Sequence, residues 1–117
     1  MQLNEVTFTE ARPVDGYGPG FFRVGGEVHD GALLITATGV SAWGGYDDDA
    51  GLLALAGHVD VLFIGTGAEI AHIPAELRNR LEGAGRGGEV RNSPAACRTY
   101  NVLLSEGRRV ALAVLPV

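Results

Sequence analysis

The chain has no lysine, one cysteine and one tryptophan in 117 residues, and each scarcity narrows the field. One cysteine cannot form an internal disulfide, so a reducing compartment is the simplest setting. Without lysine there is no phosphate-binding loop of the Gly-Lys-Ser/Thr kind. All nine basic residues are arginines, scattered from Arg12 to Arg109 with no dense run, in a chain of net charge −5. Binding to a phosphate backbone needs a basic stripe that releases counterions, so no nucleic-acid partner is expected. Long apolar runs are missing too. The run from Val59 to Ile64 is interrupted by Asp60 and is far too short to cross a bilayer. The opening Met1-Gln2-Leu3-Asn4-Glu5 shows no basic segment followed by an apolar stretch. No secretory signal is therefore expected, and a cytoplasmic location follows.

Metal-ligand spacing is also missing. His29, His58 and His72 fall on separate predicted elements. Asp47-Asp48-Asp49 lacks the alternating acids and distal glutamate of a calcium loop. No metal or cofactor is expected.

What is present is glycine, 18 residues, and a hydrophobic content of 46%. A chain of this size buries roughly 65% of its unfolded surface, enough for a core without staples. One domain over 1–117 is expected. The glycines follow no fixed period and separate apolar runs, which reads as many tight turns.

Leu3 to Thr9 alternates apolar and polar residues, the pattern of a half-buried strand. Asp15 to Gly20 is a turn-forming cluster. Phe21 to Val24 and Glu27 to His29 flank Gly25-Gly26 as a hairpin. Ala32 to Ala37 predicts a buried strand ending at Thr38-Gly39. The acids at 47–49 suit the start of a helix reaching about Ala56. Val59 to Ile64 suits a central strand covered on both faces. Pro74 opens a helix to about Ala84, with Leu77/Leu81 as its apolar stripe and Glu76/Arg80 as an ion pair. After a short strand over Glu89 to Arg91, a third helix starts with Ser93 as N-cap and Pro94 as first residue, and Ala96, Tyr100, Leu103 and Leu104 share its face. Arg108 to Leu115 is the last strand. An antiparallel first half followed by strand-helix-strand-helix-strand predicts an α/β domain with a mixed central sheet and helices on its faces.

The candidate site is the loop Gly65-Thr66-Gly67 together with the helix start from Ser93 to Arg98. The loop follows a buried strand, where open α/β sheets place ligand crevices. A dinucleotide fingerprint fails, because Ile70 stands where its third glycine belongs. A helix start offers free amides to a small anion. Cys97, beside Arg98 in the first turn or just past it, has either of two readings: a thiol of lowered pKa or a small apolar filler of the core. Asn101 shares its face and is placed to bond the loop or a ligand. Trp43 and Tyr17 read as core or loop-anchoring aromatics.

Several segments recur together in one known family. They are Asp15-Gly16-Tyr17-Gly18, the Gly31-to-Ile35 strand, Trp43, Leu62 through Gly67, Pro74 with Leu77, Ala96-Cys97-Arg98-Thr99-Tyr100-Asn101, and Glu106-Gly107-Arg108. Over nearly its whole length the chain resembles the Mth-type domain family, which includes a mitochondrial complex I assembly factor and an adipogenesis-associated protein. The resemblance implies a three-layer α/β fold and supplies no catalytic residues. This chain departs from the family at Arg86 and at Asn92-Ser93-Pro94. Two functions are open. One is a non-catalytic interaction or assembly-assisting module with a protein partner, self-association included. The other is a binding site for a small ligand or anion at Gly65, Thr66, Gly67, Ser93, Cys97, Arg98 and Asn101, with an enzyme or redox sensor as its sharper form.

Overall fold

A computed structural model describes residues 12–85 and 87–117. The strand expected over Leu3 to Thr9, and Arg86, lie outside the described residues.

The chain begins with a three-stranded antiparallel sheet: β1 (Val14–Gly18), β2 (Phe21–Val24) and β3 (Glu27–Asp30). The turn expected over Asp15 to Gly20 is narrower than predicted. Asp15 to Gly18 extend as strand, Gly18 pairs with Phe21, and only Pro19 and Gly20 turn. Pairing with β2, whose Phe22 is fully buried, outweighs the local preference of the glycines for turns. The second hairpin is as expected. Gly25 and Gly26 both take positive φ, 57° and 87°, the condition of a two-residue turn that matches strand twist.

A five-stranded sheet follows, in the order β5-β4-β8-β6-β7. It contains β4 (Leu33–Thr36), β5 (Gly39–Ala42), β6 (Val61–Gly65), β7 (Gly88–Arg91) and β8 (Val110–Val114). β4 runs antiparallel to β5 and β8, while β6 is parallel to both β7 and β8. β5 was not predicted: Gly39 does not end a strand but begins one, which folds back on β4 with Val40 opposite Ile35.

Alternation along the central strands divides the core in two. Phe63, Val110, Leu112 and Val114 face helix α3 (Ser93–Ser105) and the small sheet, packing on Ala96, Cys97, Tyr100 and Phe22. Leu62, Ile64, Ala111 and Ala113 face α1 (Ala50–Leu53) and α2 (Ala75–Gly83), packing on Leu52, Leu77 and Leu81. The result is three layers with a mixed sheet in the middle.

The first two helices differ from expectation at their starts. The helix expected from the aspartates to Ala56 has only four α-helical residues, and Asp49 at its N-cap makes no side-chain capping bond. Asp49 instead pairs with Arg80 of α2, which also removes the expected Glu76/Arg80 pair. Asp48 accepts the Gly44 amide at 2.9 Å. These acids fasten loops to one another. Pro74 sits at the N-cap of α2, one position before the first turn. Trp43 is buried, its indole N–H donates to the Asp48 carbonyl at 2.9 Å, and its ring meets Tyr46 edge-on.

Candidate functional site

Because β6 is parallel to its neighbours, residues 65–67 lie at the carboxyl end of a buried strand, as the sequence implies. The start of α3 meets them directly. Ser93 is not the N-cap. Asn92 is, its side chain accepting the Ala95 amide at 2.8 Å, and Ser93 and Pro94 are the first two helical residues. Ser93 is thereby freed for the loop. Its amide donates to the Gly67 carbonyl at 2.7 Å, and its hydroxyl accepts the Gly67 amide at 2.8 Å. The same hydroxyl donates to the Leu115 carbonyl at 2.6 Å. One fully buried side chain thus joins the ends of β6 and β8 to α3.

This arrangement decides what the helix start can do. Proline has no N–H to offer. The Ser93 amide goes to Gly67, and the Ala95 and Ala96 amides go to the side chain and carbonyl of Asn92. The first turn therefore has no free amide for an anion. Nor is there room, since a Cβ at Gly65 would lie 2.9 Å from the Ser93 Cα and 2.7 Å from the Val114 Cγ2. Gly65, Gly67 and Ser93 form a packed junction.

Thr66 works away from that junction. Its hydroxyl donates to the Glu69 carbonyl at 2.7 Å and accepts the Ala71 amide at 3.2 Å, drawing residues 66–71 into a compact loop. That loop borders a cleft of about 360 Å³ shared with α2 and β7. Sequence reasoning missed the cleft. Its local signal is the apolar content of the loop, with Ala68, Ile70, Ala71 and Ile73 between Gly67 and Pro74.

The remaining candidates have partners elsewhere. Cys97 is 3% exposed, and burial pushes its thiol up to about 12, against a weaker downward pull from the Arg98 charge. The lowered-pKa reading of this thiol is thereby reversed: in the core, desolvation exceeds the attraction of a single exposed arginine. Arg98 is exposed. Burial likewise pushes the Tyr100 hydroxyl up, and this hydroxyl donates to the Arg12 carbonyl at 2.9 Å. Asn101 clamps Val14, accepting its amide and donating to its carbonyl, both at 2.8 Å. The side chain reaches not the loop but β1, which it holds on α3.

Two expected results follow from these contacts. Asn101→Ala leaves two part-buried backbone groups without a partner and should cost about 1–3 kcal/mol. Amide exchange should accelerate in β1 and β2 well before the five-stranded sheet, and uniform acceleration would contradict the clamp. For Cys97, the thiol stays neutral in the folded state to about pH 12, while the unfolded thiol ionises near its ordinary 9.0. Because the folded pKa is the higher one, this contribution is constant below pH 9 and is lost as pH rises through that window. The slope is about 1.4 kcal/mol per pH unit. Urea unfolding between pH 8 and pH 10.5 should show a shallower loss for Cys97→Ala than for the native chain. Equal slopes would place the thiol in water.

A charged cluster lies at the opposite end of β6. Asp60 accepts from Arg109 at 2.9 Å and lies 3.7 Å from Arg108. The hydrogen bonds from Arg109 hold its carboxyl below the usual range. Tyr17, Val28, Ile70 and Val102, the large apolar residues left exposed among the described residues, are spread over β1, β3, the loop after β6 and α3.

Fold and junction together define a three-layer α/β domain with a mixed sheet. The chain belongs to the family described as protein of unknown function (DUF498/DUF598), matched over residues 14–115. It is 54% identical over its whole length to an uncharacterized protein of Rhodobacter capsulatus, covering 94% of that protein. It is 31% identical over 86% of its length to NADH dehydrogenase (ubiquinone) 1 alpha subcomplex assembly factor 3 of Danio rerio, spanning 62% of that protein. Among solved structures, one described as an outer membrane protein from Bartonella henselae superposes with a TM-score of 0.83 at 33% identity, covering 92% of this chain and 97% of that one. A Bordetella pertussis protein described as a Mth938-like domain has a TM-score of 0.71 at 30% identity, covering 99% and 92%. The expected Mth-type kinship is thus found. No helix among the described residues is long and apolar enough to cross a membrane.

Proposed function

We propose that this chain is a non-catalytic interaction module that assists assembly of a membrane or respiratory complex from the cytoplasmic side, acting as one unit over 1–117. Similarity to a complex I assembly factor carries the reading. The geometry supports it: the loop and helix start that a ligand would use are occupied by contacts with each other. The competing site, a small anion at Gly65, Thr66, Gly67, Ser93, Cys97, Arg98 and Asn101, has less support, because the helix amides and the Cys97 thiol are withdrawn from solvent.

The test is deletion of the gene in its host, with native gels of membrane complexes. The expected result is loss of one assembled complex, restored by the native chain. In-cell cross-linking should then join the chain to a subunit of that same complex. Normal levels of every complex after deletion would defeat the proposal.

A further inference from the structure

The cleft beside the Thr66 loop has features of a small-molecule site. Its lining is mostly apolar, with Ile70, Ala71, Ile73 and Val90, and its polar members are His72 and Arg78. A volume of about 360 Å³ falls in the range of such sites. At about 30 Å³ per non-hydrogen atom, the share of a water in its liquid, on the order of ten atoms fill it.

Two observations indicate what those atoms would be. Ile70 is 64% exposed at the edge of the cleft, the barest of the large apolar residues described. A hydrocarbon body laid against it and Val90 gains by removing apolar surface from water. The Arg78 guanidinium has no hydrogen bond or ion pair among the described residues, whereas that of Arg80 on the same helix is paired with Asp49. A guanidinium without a partner, on an apolar wall, suits a planar carboxylate that it can grip with two parallel bonds.

We propose that this cleft binds a small amphipathic carboxylate of the medium-chain fatty acid class. The carboxylate sits on Arg78 and the chain lies over Ile70, Ile73 and Val90. Thr66 acts indirectly, holding the wall that carries Ile70 and Ala71. The proposal does not depend on the assembly reading, since it concerns a different surface and is tested on the isolated chain.

The test is a two-dimensional amide NMR titration with sodium octanoate below its micelle concentration, repeated with 1-octanol. Saturable shifts should be confined to residues 70–73, Arg78 and Val90. Arg78→Gln, at an exposed position that does not threaten the fold, should weaken octanoate at least about tenfold and 1-octanol less than about twofold, as loss of a charged hydrogen bond implies. Absence of saturable shifts, shifts centred elsewhere, or equal effects of Arg78→Gln on the two probes would each overturn it.

Discussion

Gly65→Ala should destabilise the protein by about 3 kcal/mol, although it adds one methyl group to a strand position that any residue could adopt. Gly65 is absent from the positive-φ glycines, so backbone strain is not the cause. The cause is space. The new Cβ would meet the Val114 Cγ2 at 2.7 Å, the Ser93 Oγ at 2.8 Å and the Ser93 Cα at 2.9 Å. A rotamer change could move Val114, but the Ser93 Cα is backbone at the start of a helix whose Ala96 and Tyr100 are fully buried. α3 must shift as a body, or β6 must bow. In a domain of ordinary stability, about 5–15 kcal/mol, that is a large fraction, and the midpoint temperature should fall by roughly 10 °C. Gly83→Ala is the control, since a Cβ there meets nothing within 4 Å. In helix α2 it should be neutral or stabilising by up to about 1 kcal/mol. Urea unfolding decides between them, and a Gly65→Ala variant within 1 kcal/mol of the native chain would mean that the junction is loose.

The parts of the fold legible in the sequence were those fixed by periodicity. Val61 to Gly65 and Val110 to Val114 were readable as buried strands because both faces of the sheet are covered. Leu77 and Leu81 were readable because i, i+4 spacing leaves one side of a helix for the core. Where two neighbouring residues could play one local role, tertiary partners made the choice. Asn92 and Ser93 are both good caps, and Ser93 was passed over because Gly67 and Leu115 needed its hydroxyl more. Asp49 likewise left its cap for Arg80, a residue 31 positions away. That the Gly65-Thr66-Gly67 loop lies against the start of α3 was legible, but what that meeting does chemically was not. Whether a helix start faces solvent or a neighbouring backbone depends on packing distances that spacing does not encode. The cleft was hidden for the same reason, since Ile70, Arg78 and Val90 come from a loop, a helix and a strand.

Ser93→Ala should cost about 2–4 kcal/mol, since it leaves a buried amide and a part-buried carbonyl each short of a partner. The substitution is well isolated. Alanine is the best helix former, so α3 loses no propensity. The cap on Asn92 remains, as does the backbone bond from residue 93 to the Gly67 carbonyl. What disappears is the hydroxyl between Gly67 and Leu115, and with it the tie between β6, α3 and the chain beyond β8. Asn92→Ala makes the comparison, costing only about 1 kcal/mol if loss of the cap is all it does. Combining Ser93→Ala with Gly65→Ala sharpens the test. Removing the Ser93 Oγ relieves one of three clashes at residue 65 and leaves those with the Ser93 Cα and Val114 in place. The double variant should therefore lose less than the sum of the single losses but more than either alone. Full additivity would show that the hydroxyl and the missing Cβ serve separate contacts. A double variant no worse than Gly65→Ala would show that the clash already breaks the hydroxyl bridge.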